Sequence, residues 1–330
     1  MGNNAVLPLG FRMGSWTDSE KLTGCTVILA PRPAGALAGV DVRGAAPATR
    51  ETDLLDPAKS VQRINAVFLS GGSAYGLGCA QGVMEWLRQH DCGFRFKAAG
   101  GSDQVVPIVC GASLYDLEVG DFSWPTSDNG WSACAQAMPL LSTGSVGAGA
   151  GATVGKLLGM EQATPSGLGA ASLQVGGLQI CAVSAVNALG NIYDPYDGSL
   201  LAGQPLGQEA LYAMAGAAAG AEATAPRPHQ PGQTGFDPDA PLPPFNTTIS
   251  CITTNARLSK LENHQLAMRA HDAYALTIRP CHSSFDGDAI FCMSDGEVEL
   301  PFDTLAELAC QVLSAAIINA VCPDYQGPAD

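Results

Sequence analysis

Pro243 to Asn255 reads P-P-F-N-T-T-I-S-C-I-T-T-N, and this stretch restricts the fold more than any other. A proline-rich stretch stops, one Asn follows, and a run rich in β-branched Thr and Ile begins at once. Two heavy atoms on Cβ stiffen χ1 and favour the pleated strand, so a strand is expected to start at Thr247. A Thr hydroxyl on a rigid strand start can attack the carbonyl that precedes it. If the Asn246-Thr247 peptide then breaks, the new α-amino group lies beside the same hydroxyl. An α-amine has a free pKa of roughly 7.7 to 8.0, which makes it a usable general base near neutral pH. One residue would then serve as nucleophile and base together. The residues alone leave two plainer readings open: Asn246-Thr247-Thr248 is also an N-x-T glycosylation sequon, and Asn before a strand is an ordinary turn residue.

With 330 residues the chain is long enough for one large domain or two smaller ones around a sizeable core. A hydrophobic content of 46% fits a well-packed globular protein. The net charge of −15 disfavours nucleic acid as a partner, because phosphate binding needs clustered Lys and Arg. The 11 Cys are dispersed, with no C-x-x-C and no paired Cys/His spacing, which reads as buried reduced thiols in a cytoplasmic protein and neither a disulfide frame nor a zinc site. The start M-G-N-N-A-V-L-P-L-G has no basic region followed by a long apolar core, so secretion is not expected and the sequon reading loses weight. No apolar run reads as long and charge-free enough to span a bilayer.

In chain order, Gly24 to Ala30 and Asn65 to Ser70 are strand candidates, the second leading through Gly71-Gly72-Ser73 into a helix from Ala74 to His90. Such a glycine turn can hold an anion or simply permit close packing, and packing is favoured because no nucleotide-motif partner has the required spacing. Val105 to Leu117 reads as strand, bend and strand ending at Tyr115-Asp116, where a lone Tyr is more often core than catalytic. The run S-V-G-A-G-A-G-A-T-V-G-K, Ser145 to Lys156, fails the phosphate-loop pattern at Ala150 and Leu157 and fits G-x-G-x-x-A only weakly. It offers a backbone able to approach another group closely, with Lys156 at its end reading as a solvated surface amine. Leu178 to Val186 is a strong strand ending at Asn187. Leu211 to Ala223 reads as a weak helix, and about Thr224 to Phe245 as a flexible connector. Ser259-Lys260-Leu261-Glu262 is a capping box opening a helix to about Ile278. A polar turn, His282 to Asp288, precedes the strand Ala289 to Ser294; its two carboxylates across Gly287 could hold a cation or orient an amine. The apolar stripe between Thr304 and Val321 has helical period.

Taken together, R-G-A-A-P-A-T-R-E-T-D-L-L-D-P, S-G-G-S-A-Y-G-L, the G-A-G-A-x-x-G-K run, N-T-T-I, T-N-A-R-L and the F-D-G-D turn resemble the DmpA-type family of self-processing aminopeptidases. That family also holds β-peptidyl aminopeptidases, a pantetheine-cleaving hydrolase and nylon-oligomer hydrolases, and the resemblance covers nearly the whole chain. It implies an α+β fold, an αββα four-layer sandwich of the DmpA and ornithine acetyltransferase type, like that of N-terminal-nucleophile hydrolases. It further implies one domain over residues 1–330, cut between Asn246 and Thr247 into an α fragment (1–246) and a β fragment (247–330), and a homo-oligomer of αβ pairs. Thr247 matches the family nucleophile, Lys156 a lysine that tunes it, Asn187 and Tyr115 the oxyanion side, and Asp286 and Asp288 a pair that holds the new amine. The implied activity is amide hydrolysis on small peptides or amides without metal or organic cofactor. A 6-aminohexanoate oligomer hydrolase, an acyltransferase of the ornithine acetyltransferase type and a non-catalytic binding protein are the alternatives.

Overall fold

A computed structural model describes residues 5–205, 207, 246–323 and 325; the expected weak helix 211–223 and the connector 224–245 lie outside the described residues. The strands that build the two larger sheets are β1 (Arg12–Asp18), β2 (Thr23–Leu29), β3 (Ala36–Val42), β4 (Ala48–Arg50), β5 (Arg63–Ile64), β6 (Ala66–Ser70) and β7 (Val109–Ser113), followed by β8 (Leu168–Val175), β9 (Leu178–Asn187), β10 (Thr247–Ala256) and β11 (Ala289–Val298). One sheet runs β1-β2-β6-β7-β4 and the other β8-β9-β10-β11-β3-β5. The second sheet thus places a strand from the first fifty residues beside strands from the last eighty-four. Helices α1 (Ala80–Gln89) and α2 (Ser127–Ala135) cover the first sheet, and α3 (Lys260–Thr277) and α4 (Phe302–Asn319) cover the second.

Strand periodicity explains the four layers. In β10, Ile249 and Cys251 point between the sheets, where they meet Val67, Leu69, Cys110 and Ala112, while Ile252 points outward to Leu266, Val312 and Leu313 of the helices. In β2, Ile28 faces inward and Cys25, Val27 and Leu29 face Val83, Trp86 and Leu87. Both faces of these strands are covered, so they read as near-continuous apolar or β-branched runs.

Local signals mostly hold. Ser259 Oγ accepts from the Glu262 amide at 3.2 Å while the Glu262 carboxylate accepts from the Ser259 amide at 2.8 Å, the capping box that starts α3. The helix expected over Ala74 to His90 instead divides into a helical turn at Ser73–Gly76, a 3-10 turn at Leu77–Cys79 and then α1. Gly76 packs so tightly under Gly71 that a Cβ there would lie 1.8 Å from the Gly71 carbonyl oxygen, and the backbone tightens at that contact. Helix α4 is long and apolar enough, by length and composition, to cross a membrane. In this fold its apolar residues, among them Leu305, Val312, Leu313 and Ile317, are buried in the core beside the second sheet.

Candidate active site

The site forms where β9 ends and β10 begins. Asn187, the last residue of β9, stands opposite Thr247, the first of β10, in the antiparallel register. On the other side β10 runs parallel to β11, and one isolated parallel bridge, Asn246 with Asp286, continues that pairing past the strand start. The Asn246 amide donates to the Phe285 carbonyl and the Gly287 amide donates to the Asn246 carbonyl, both at 2.9 Å. The Thr247 hydroxyl also hydrogen-bonds the Asn246 carbonyl. The bond between Asn246 and Thr247 is therefore held from both sides, with an N–H already polarising its carbonyl oxygen. Gly287 makes this possible, since a Cβ there would lie 2.7 Å from Thr247 Oγ1 and 2.8 Å from the Ala46 carbonyl oxygen.

Lys156 arrives from the glycine-alanine run, which packs against both sheets: a Cβ on Gly147 would lie 2.1 Å from Thr26 Oγ1, and one on Gly149 would lie 2.0 Å from the Leu168 amide nitrogen. The close approach expected of that run is what it provides. The surface amine expected at its end is not found, because Lys156 is only 3% exposed. Its amide is tied to the Leu189 carbonyl at 2.9 Å, and its Nζ donates to Asn187 Oδ1 at 2.7 Å. Composition could not show this: burial of Lys156 depends on loops that meet only after both sheets have stacked. Burial lowers its pKa to about 7, against the opposing pull of Asp286, Glu118 and Asp116. The result is an amine able to accept or give a proton near neutral pH, one hydrogen bond from the residue opposite Thr247.

Asn187 is fully buried and acts as the hub. Its Oδ1 accepts from Lys156 and from the Thr153 amide at 3.0 Å, and its Nδ2 donates to the Tyr115 carbonyl at 2.8 Å. That bond uses one of the two amide hydrogens expected at the oxyanion side. Tyr115 is half-buried and lines, with Thr247, Ala46, Pro47, Ser73 and Leu77, a cavity of about 420 Å³. Its hydroxyl donates to Glu118 at 3.3 Å, so it is a wall residue and not part of the core. Two larger cavities, about 650 and about 730 Å³, open at Arg257 and Asp295 and at Phe94 and Val106, and none of the expected site residues lines them.

The two aspartates divide their tasks. Asp288 Oδ1 accepts from the Thr248 amide at 2.8 Å, and its Oδ2 accepts from His282 through the backbone amide at 3.1 Å and the ring Nδ1 at 2.8 Å. Asp286 accepts from the Ser283 amide at 2.8 Å. Burial raises the Asp286 pKa, the Asp288 charge raises it further, and the Ser283 bonds oppose both. Among the described residues no group of three or more His, Cys, Asp and Glu side chains is arranged to hold a metal ion. The structure thus gathers Thr247, Asn187, Lys156, Tyr115, Asp286 and Asp288 at one end of the six-stranded sheet.

Three contributors escaped the sequence reading. His282 sat in the polar turn already singled out, and its only signal was its spacing to Asp288. Gly287 was visible as the residue between two carboxylates, with nothing to show the hydroxyl above it. Asp116 is 2% exposed and takes the Gly72 amide at 2.6 Å and the Thr23 hydroxyl at 2.8 Å. The Gly71-Gly72 turn therefore does meet an anion, supplied by the chain itself, while serving the packing role expected of it. Burial raises the Asp116 pKa to about 6, although those donors resist the change.

The model of peptidase family S58 matches residues 9–326. An uncharacterized aminopeptidase of Mycobacterium bovis is 42% identical over 280 residues, covering 84% of this chain and 75% of its own. A 6-aminohexanoate-oligomer endohydrolase of a Kocuria strain is 30% identical over 298 residues, covering 88% and 75%. Among solved structures, the L-aminopeptidase D-Ala-esterase/amidase of Ochrobactrum anthropi superposes with a TM-score of 0.67 at 17% identity, over 96% of this chain and 85% of its own. A β-aminopeptidase of a Burkholderia strain gives 0.62 at 18% identity over the same shares. These two carry the fold, which is the N-terminal-nucleophile hydrolase variant expected from the four-layer sequence reading. Since the family match runs nearly end to end, the chain belongs to peptidase family S58 and is a hydrolase of the aminopeptidase or amidase type.

Proposed function

We propose that the chain is made as a precursor that cuts itself between Asn246 and Thr247, and that Thr247 then hydrolyses small peptides or amides. The observation that carries this reading is the Thr247 hydroxyl hydrogen-bonded to the Asn246 carbonyl, whose oxygen also receives the Gly287 N–H. Thr247 Oγ attacks the Asn246 carbonyl carbon, the C–N bond breaks and the nitrogen takes a proton, leaving an ester. The Thr247 amine is free from that point, and water then hydrolyses the ester, releasing the Asn246 carboxylate and restoring the Thr247 hydroxyl.

In the mature enzyme the same hydroxyl attacks the substrate carbonyl in the cavity while the Thr247 amine takes the proton and passes it to the leaving amine, and water then hydrolyses the ester left on Thr247. Lys156 biases the local field towards the deprotonated hydroxyl and holds Asn187. The second Asn187 N–H and Tyr115 serve the oxyanion side, where one preorganised donor is worth about 10²- to 10³-fold in rate. Asp286, opposite residue 246 in the uncut ladder, takes up the new amine, and Asp288 fixes the start of β10.

A cavity of about 420 Å³ lies at the small end of ligand-site sizes, which fits a single residue or amide unit better than a folded chain. The dispersed thiols favour a cytoplasmic enzyme and the acidic balance one without nucleic-acid partners, and the family resemblance favours a homo-oligomer of αβ pairs with no membrane partner. Its 6-aminohexanoate hydrolase relatives make that oligomer a second substrate to test. The decisive experiment is intact mass, followed by assays on amino-acid anilides, β-peptides and 6-aminohexanoate oligomers. Two fragments are expected from the natural sequence, and one species near 33.8 kDa from Thr247→Ala. Fragment pairs from Thr247→Ala would refute the assignment.

A further inference from the structure

His282 belongs to no part of the cycle above, yet it touches both of two buried groups, Asp288 and Tyr274, that converge on the residue after the nucleophile. Its backbone amide and its ring Nδ1 both donate to Asp288 Oδ2, at 3.1 and 2.8 Å, while the other oxygen of that carboxylate takes the Thr248 amide at 2.8 Å. The His282 ring stacks on Tyr274 with centroids 5.7 Å apart and planes 28° apart. The Tyr274 hydroxyl in turn donates to the Thr248 carbonyl at 3.1 Å. Both polar ends of Thr248 are thus gripped by side chains that His282 touches. His282 itself has φ of +54°, a conformation rarely adopted by residues with a side chain, and its two bonds to one oxygen fasten it there.

We propose that His282 is a positioning residue: through Asp288 and Tyr274 it fixes Thr248, and so sets where the Thr247 hydroxyl and amine point. This rests on the self-cleaving reading given above. The groups around the ring are consistent with a cationic clamp. Asp288 supplies the negative charge, Cys281 adjoins the ring, and Tyr274 and His271 pack against it, the latter at a centroid distance of 4.8 Å. His271 turns its own Nε2 to the Asp41 carbonyl at 3.2 Å, with the Asp41 carboxylate 3.7 Å away and Arg43 behind it. Burial lowers the His271 pKa to about 4, so it adds no repelling charge at neutral pH. Burial would also lower the His282 pKa, but the hydrogen bond and charge of Asp288 prevail and raise it to about 9.

The test compares His282→Leu, which removes the side-chain donor, with His282→Asn, whose amide can place an N–H near the position of Nδ1. Self-cleavage is followed by gel after cell-free synthesis at pH 7.5, and kcat and KM by anilide hydrolysis on fully cut protein. Misplacing a reacting group by about 1 Å costs on the order of 10²-fold. His282→Leu is therefore expected to cut itself 10- to 100-fold more slowly and to lose kcat with KM nearly unchanged, and His282→Asn to recover most of both. If His282→Leu does not fold, His282→Asn decides: in folded, fully cut His282→Asn a kcat within about threefold of the natural enzyme is the expected result, and a loss of about 10²-fold overturns the proposal. Equal cleavage rates in folded His282→Leu and natural protein also overturn it, leaving self-cleavage intact. An uncut natural chain sinks the underlying reading instead.

Discussion

Replacing Lys156 with Met should stabilise the uncut protein, and the gain should depend on pH in a calculable way. The comparison is made on a Thr247→Ala background, so that neither chain is cut. Burial takes the Lys156 pKa from 10.5 to about 7, a displacement of about 3.5 units. At about 1.36 kcal/mol per unit, the folded state gives up about 5 kcal/mol whenever the unfolded lysine is charged and pH lies below the folded value. Between pH 7 and 10.5 the unfolded chain binds more protons than the folded one, so stability of the lysine form rises with pH by about 1.4 kcal/mol per unit. Methionine has nearly the same length and no charge to desolvate. Its substitution leaves Asn187 Oδ1 without the ammonium, but the Thr153 amide still donates there at 3.0 Å, so that loss is about 1 kcal/mol. Urea unfolding followed by tryptophan fluorescence should show Lys156→Met more stable by about 4 kcal/mol at pH 6, with the advantage shrinking to nothing by pH 10. A difference near zero at pH 6, or one that does not change with pH, would refute the burial argument and return Lys156 to the surface.

Two other substitutions test the hydroxyl's surroundings. Gly287→Ala puts a methyl 2.7 Å from Thr247 Oγ1, so precursor should accumulate on a denaturing gel with cleavage slowed at least about tenfold, provided the chain folds. Asp286→Asn removes the carboxyl that takes up the Thr247 amine. In fully cut protein kcat/KM should fall about 10²-fold, and the acid limb that Asp286 gives the pH profile of the natural enzyme should disappear. An Asp286→Asn enzyme retaining that limb would move the titrating group elsewhere.

The sequence showed most of the local structure because local structure is set by nearby residues. The β-branched run after Asn246, the apolar run Leu178 to Val186 and the box at Ser259 each depend on a handful of neighbours, and each appears with ends within a few residues of those expected. The proposed nucleophile and its partners were named through co-linear motifs, and the structure brings those residues together. What stayed hidden depends on pairing over long separations. Nothing in R-G-A-A-P announces that β3 lies beside β11, or that the Asp288 carbonyl accepts from the amides of Arg43 and Gly44. Lys156 read as solvated because amines usually are, and only the loop after β9, closing over it at Leu189 and Gly190, makes it the exception. His282 was unreadable for a related reason: a histidine in a polar turn gains meaning only once Asp288 and Tyr274 have been brought beneath it.

The proposed cut would have an electrostatic consequence that bears on the crowd of ionisable groups. Scission would create an ammonium and a carboxylate where Asn246 is fully buried and Thr247 is 3% exposed. An unpaired charge left at such depth would oppose the reaction, since burial disfavours the charged form of either group. The uncut chain already holds two carboxylates and one amine there, in a balance in which Lys156 is easily deprotonated and the Asp286 pKa is raised. A new cation at residue 247 would allow Asp286 to ionise fully, and the pair would then be worth more than either charge alone. Meanwhile β10 is paired with β9 on one side and β11 on the other, so both products would stay in one sheet, with residue 247 facing the cavity. The proposed self-cleavage would in such a place yield an amine whose counter-charge was present before the bond broke. Removing Asp286 should for that reason slow the cut as well as the hydrolysis.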